Sequence, residues 1–288
     1  MADLPDNDQQ DFEVYPSSRT AAKDFTEALA NLRQALKPAD IASHHRAGEN
    51  YEDFLLRLAL STTNSKAVLF RKNDSAEETR VQAWLSIVSE KSKAYVIQHS
   101  PIGFEGLSQD HLREIAKLSL HPENTQRLVD ILARAYGVVL IVEPGFRAMK
   151  TDGCVFKLAQ GTPVIGISVR YNRYDNFWFT LMHELAHIYM HYEQLDQPII
   201  DDLDEVGVSE IEVEANIVAK DSLVSRQHWR LIWNARDNKR QFYEFCKQAE
   251  VNPVIAAGML RYQTKNYALY PEYQYAMNIR KIFGVADD

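Results

Sequence analysis

Apolar residues recur at helical intervals through the first third of the chain. Phe25, Leu29, Leu32 and Leu36 form one stripe that closes at Pro38, and this spacing predicts a helix from about Thr20. Helical stretches follow over 51–60 and 76–88, the latter with Val81, Trp84, Leu85 and Val88 on one face. Residues 107–120 and 123–136 read as two more helices. The second begins after Pro122, favourable in a first turn, and stops at Gly137, which suits a C-terminal cap. The pattern then changes. A β-branched run over 138–142, a partly alternating run over 154–158 and a third over 164–169 read as strands of a small, mainly antiparallel sheet.

Helical spacing returns over 177–192, with Asp175 as the expected N-cap. An acidic stretch over 196–205 reads as a solvated loop, and a helix is expected over 209–223. Further helices are expected over 227–235, 240–250, 253–262 and 273–283. The fold class is therefore α+β. A polar tail over 1–18 precedes a helical N-terminal region over 19–90, and a second part over 105–288 carries the sheet.

Composition narrows the class. With 45% hydrophobic and 25% charged residues the chain reads as an ordinary soluble globular protein. Its formal net charge of -8 removes a whole-chain basic footprint, so no direct nucleic-acid binding is expected. Cys154 and Cys246 stand in no metal-ligand spacing and suit a reducing cytosol, each as a small buried hydrophobe. The first ten residues lack an apolar signal core, and no apolar run approaches the roughly 20 residues of a membrane span. The expected location is cytoplasmic.

The chemistry sits at His183-Glu184-Leu185-Ala186-His187. Residues four apart on a helix share a face, so His183 and His187 can present two imidazoles to one ion. Glu184 lies beside them, where a carboxylate can take a proton from water at the open coordination position. A catalytic zinc needs a third protein ligand. His191, a downstream carboxylate or a distant histidine can supply it. His191 continues the spacing but drifts about 40° round the helix at each step of four, which places it at the helix end or behind the ligands. Downstream, Glu210, Glu212 and Glu214 open the next helix. Glu214 is preferred as third ligand because Ile211, Ile217 and Val218 flank it; Glu210 and Glu212 read as a solvated acidic first turn.

The block from Arg170 to His187 resembles the approach to the zinc helix in the ImmA/IrrE-type (DUF955) metallopeptidases. Glu212-Val213-Glu214-Ala215-Asn216 resembles that family's second motif, and 252–260 resembles a C-terminal helix of many members. The resemblance covers about 105–265. It implies a gluzincin-like core, a zinc ion held by His183, His187 and Glu214, and Glu184 as general base. It also implies a helix-turn-helix repressor or antitoxin as protein substrate or partner. The most similar branch, the HigA-like one, carries that DNA-binding domain in its own chain. Residues 19–90 show no short Gly-containing turn between two close helices, so the partner is expected on a separate polypeptide.

Three functions are consistent with this reading. The first is a zinc metallo-endopeptidase acting on that partner. The second is the toxin component of a toxin–antitoxin or phage-defence pair. The third is a non-catalytic, zinc-containing regulatory binding module. Tyr189, Tyr192, His191 and Arg170 are candidates to stabilise an oxyanion. Trp229 and Trp233 with Arg226, Arg230 and Arg236 form an aromatic and basic helix best read as packing, and His44-His45 as an exposed pair.

Overall fold

A computed structural model describes residues 18–64, 75–201 and 209–285. All but one residue of the tail expected over 1–18, and residues 202–205 of the acidic loop, lie outside them. Three long helices open the chain: α1 (Ser18–Ala35), α2 (Tyr51–Asn64) and α3 (Ala76–His99). A capping box fixes the start of α3, where Ser75 Oγ accepts from the Glu78 amide and Glu78 answers the Ser75 amide. α3 runs eleven residues past the expected end at 88, because Tyr95 and Val96 continue to pack against the core. Residues 36–50 join α1 to α2, much longer than the three or four residues of a helix-turn-helix turn.

α4 (Gln109–Lys117) leads to two short pieces, α5 (Pro122–Gln126) and α6 (Leu128–Ile131). The single helix expected over 123–136 is therefore broken, and its last turn loosens into π geometry over Leu132–Tyr136. Gly137 closes it at φ 66°, a left-handed conformation that glycine adopts without a Cβ clash. Next come β1 (Val139–Val142), β2 (Gly153–Lys157) and β3 (Pro163–Ile167), then α7 (Tyr174–His191) and a short fourth strand, β4 (Ile199–Asp201). α8 (Glu210–Leu223), α9 (Arg226–Asn234), α10 (Lys239–Gln248), α11 (Pro253–Thr264) and a one-turn α12 (Ile279–Ile282) complete the described chain. Only that last turn is helical in the way expected over 273–283.

The strands lie in the order β1-β3-β2-β4. β1 and β3 are parallel; β2 runs antiparallel to both its neighbours. Alternate side chains point to opposite faces of a strand. Leu140, Val155, Ile165 and Ile167 enter a core with α4, α7, α8 and α11. Val139, Ile141, Cys154, Phe156 and Val164 enter a second core with α1, α2 and α3. Both faces of the sheet are thus buried, which explains why its strands read as nearly continuous apolar runs.

His44 is not the exposed loop residue its sequence context suggests. It is buried, and its Nδ1 lies 2.8 Å from Glu143 Oε1. Lys91 meets the other oxygen of Glu143, and the Trp84 indole donates to the Glu143 carbonyl at 3.0 Å. A buried carboxylate is tolerable when charges and donors surround it in this way. These contacts fasten the N-terminal helices to the end of β1.

Candidate metal centre

α7 is enclosed on nearly every side, as expected of a helix apolar all round: Phe177, Trp178, Leu181, Met182, Leu185 and Ile188 fill the core. The polar groups it carries inward therefore need partners. His183, Glu184 and His187 are all fully buried. The one-turn spacing brings the two imidazoles together, with their Nε2 atoms 3.0 Å apart.

Two carboxylates join them. Glu212, in the first turn of α8, places Oε2 3.0 Å from His183 Nε2 and Oε1 3.3 Å from His187 Nε2. Asp201, the last residue of β4, places Oδ2 2.8 Å from His183 Nε2. Ligand atoms from His183, His187, Asp201 and Glu212 all lie within 4.8 Å of one another. His183 Nε2 thus has three neighbours at hydrogen-bond distance, yet one N–H can serve only one of them. Asp201 Oδ2 also fails to make a hydrogen bond of acceptable direction despite its short distance. The donor atoms converge on a common point more than on each other. A tetrahedral ion bound at 2.0–2.1 Å separates its ligand atoms by about 3.3 Å, close to the spacings seen here. The residues therefore fit a divalent cation, and a two-histidine, carboxylate set suits zinc.

The site is electrostatically tense. Burial works to lower the His183 pKa, but the adjacent carboxylates of Asp201 and Glu212 outweigh it and push it up to about 9. Burial would raise Glu212, yet its contacts with His183 and His187 hold it well below the usual carboxylate range. Glu184 is pushed far upward, first by burial and then by the charges of Asp201 and Glu212. A cation among these groups would reverse that logic with its own charge.

Glu184 owes its place to Gly153. Asp201 and Gly153 are directly opposed across β2 and β4, and the missing side chain at 153 leaves the space that the Glu184 carboxylate fills. A Cβ at Gly153 would stand 2.0 Å from Glu184 Oε1 and 2.8 Å from Thr180 Cγ2. Gly153→Ala should cost about 1–3 kcal/mol by overpacking and turn Glu184 away from the metal donors. Thermal melting reads the first effect; an unchanged melt would refute this packing.

The expected residues divide. His183, Glu184 and His187 come together, but Glu214 does not join them. Its carboxylate, 45% exposed, lies 3.3 Å from His191 Nε2. His191 Nδ1 in turn lies 3.2 Å from His187 Nδ1, so His191 and Glu214 support His187 from behind, in the manner of partners that orient a metal ligand. Glu212 takes the position expected of Glu214. The buried stripe of α8 is Ala215, Ala219 and Ser222, and Glu212 precedes it by three, seven and ten residues, on the same face. Ile217, one of the flanking residues that favour Glu214 on sequence grounds, is instead exposed. The small residues are the better signal: they allow α8 to approach α7 closely. Asp201 lies in the stretch read as a solvated loop, where Ile199 and Ile200 are the only trace of a strand.

A cleft of about 960 Å³ opens on Asp201 and Glu212. Of the four residues considered for an oxyanion, Arg170 alone lines it. Arg170 is held by a two-pronged contact to Asp152, with bonds of 3.0 and 3.1 Å. The Tyr192 hydroxyl is already spent on the Gly161 carbonyl at 2.6 Å. Trp229 and Trp233 pack against the C-terminal core, as their spacing suggests, while Trp229 also lines the cleft.

Among the described residues no helix is long and apolar enough to cross a membrane. Comparisons with curated proteins and with solved structures gave no match. Residues 133–252, which include His183, Glu184, His187, Asp201 and Glu212, match a peptidase family, and over that span the chain is similar to the IrrE N-terminal-like domain, Peptidase_M78.

Proposed function

We propose that the protein is a zinc-dependent endopeptidase in which His183, His187 and Glu212 hold the metal and Glu184 is the general base. Glu184 carries this reading. It is fully buried, and among the described residues neither of its oxygens has a hydrogen-bond donor. A buried carboxyl group beside four converging metal donors is costly as structure and useful as a proton carrier. When bound, zinc supplies Lewis acidity and brings the pKa of water toward neutrality. Glu184 then accepts the proton of the attacking water and returns it to the leaving amine. Arg170, on the cleft wall, is the donor assigned to the scissile carbonyl oxygen. The resemblance to ImmA/IrrE-type proteins supports a helix-turn-helix repressor or antitoxin as the protein substrate, and the reading of residues 19–90 assigns that partner to a separate polypeptide. In the toxin variant of this reading, that partner restrains the same site.

Chelation tests the proposal directly. Treatment with 1,10-phenanthroline should abolish hydrolysis of a mixed peptide library, and added zinc should restore it. Hydrolysis indifferent to metal removal would end the reading.

Asp201 favours a second reading. Four protein donors close a tetrahedral site, whereas a hydrolytic site keeps one position for water. A closed site would make this a metal-stabilised binding module. Under the peptidase reading Asp201 is the donor that yields, because it ends a three-residue edge strand while the other three stand on packed helices. Asp201→Ala should then lower metal affinity by no more than about 10–100-fold and leave the water-proton relaxivity of the manganese-loaded protein unchanged, because water already holds that position. A much larger loss of metal, with a rise in relaxivity as water enters the vacated position, would support the closed site.

A further inference from the structure

The cleft that leaves the metal donors carries charge opposite in sign to the whole chain. The chain's formal net charge is -8. Beyond Asp201 and Glu212, however, the cleft lining holds six cations against three carboxylates. Each carboxylate is already engaged. Asp152 binds Arg170, Asp221 binds Arg226 at 2.8 Å, and Asp175 is shared between Arg173 and Arg261. Lys220 and Arg230 line the cleft with no ion pair among the described residues. The cleft desolvates Lys220 enough to lower its pKa, and the Lys220 ammonium stands 5.9 Å from the ring of Tyr262.

One of the two unpaired cations can be placed along the cleft. Glu212, Asn216 and Lys220 recur every four residues of α8 and all line it, so they share one face. Eight residues of helix place Lys220 about 12 Å along the axis from the metal donor Glu212. An extended chain covers that distance in about four residues. Past Lys220, Arg226 and Arg230 flank Trp229 at the start of α9, and Trp229 faces the cleft with an apolar ring.

We infer that this cleft binds an extended acidic peptide segment, with Asp or Glu residues about four positions from the metal donors engaging Lys220 and Arg230. Placing the scissile bond at the metal rests on the peptidase reading; the charge preference of the cleft does not. A peptide fits this lining better than a nucleic-acid strand. Lys220 and Arg230 are the two lining cations without an ion pair among the described residues, enough for a few carboxylates at one part of the occupant. A strand with a phosphate at every nucleotide would bring charge along the whole cleft, where the other four cations are already engaged.

The test uses the full chain carrying Glu184→Gln, so that binding is read without cleavage. The probes are a fluorescent dodecapeptide with three consecutive Glu residues, the same peptide with Gln in their place, and a twelve-nucleotide single strand. By anisotropy, the acidic peptide should bind about tenfold more tightly than its Gln counterpart at low salt, and the advantage should shrink as salt is added. Lys220→Glu with Arg230→Glu should erase the advantage while leaving zinc content and melting temperature unchanged. Equal binding of the two peptides would overturn the inference, and tighter binding of the oligonucleotide would assign the cleft to nucleic acid instead. If wild-type protein cleaves acidic and neutral peptides equally well, the peptidase reading stands and this one falls. A charge preference without any cleavage would uphold the acidic-peptide cleft and remove the peptidase reading.

Discussion

Glu184→Gln should leave zinc in place and lower kcat/KM for peptide hydrolysis by about 10²–10⁴-fold, the usual contribution of a positioned general base. The substitution keeps the shape of the side chain, so the fit against Gly153 and Thr180 survives. It removes the only carboxylate of the group that is not itself a proposed ligand or a neighbour of His183 Nε2. Stability should not fall with activity. The charged form of the wild-type carboxyl is disfavoured by burial and by Asp201 and Glu212, and it has no donor among the described residues, so a neutral amide of the same shape avoids that cost. Loss of turnover with an unchanged or higher melting temperature is the signature to look for. Cleavage at the wild-type rate, with zinc content measured in the same sample, would remove Glu184 from the mechanism.

The second large effect separates two glutamates that stand two residues apart. Glu212→Ala removes a carboxylate that faces both His183 and His187, and should abolish stoichiometric zinc binding. Glu214→Ala removes only the partner of His191, and should weaken zinc by about 10–100-fold at most, as expected for a group that orients a ligand from behind. Competition against a chromogenic chelator measures both. Retention of zinc by Glu212→Ala, with loss in Glu214→Ala, would return the third-ligand role to Glu214.

That pair also shows where the sequence is legible and where it is not. Spacing of four places His183 and His187 on one helical face, and a single helix suffices to define that geometry. The third ligand depends on how two helices approach one another, which the local pattern of α8 reports only indirectly. Large apolar neighbours draw attention to Glu214, whereas the buried side of α8, which packs against α7, carries the small Ala215 and Ala219. Asp201 is hidden for a different reason. β4 has three residues and takes its conformation from pairing with β2, so its own sequence carries almost no strand pattern. His44 is a third case: its partner Glu143 is 99 residues away, and no local pattern predicts such a meeting. By contrast the long helices and the three apolar strands are readable, because their periodicity is set by burial of whole faces.

The sheet's second face has a consequence for how this molecule can be divided. The segment similar to the peptidase family begins at residue 133, but Val139, Ile141, Cys154, Phe156 and Val164 within it are roofed by α1, α2 and α3. A fragment cut at the family limits would present this apolar strip to water, next to a Glu143 stripped of His44, Lys91 and the Trp84 indole that shield it. The N-terminal helices are accordingly not an appendage to a self-sufficient domain. They are the other half of its interior, and excision should yield a self-associating remnant in place of a smaller folded protein.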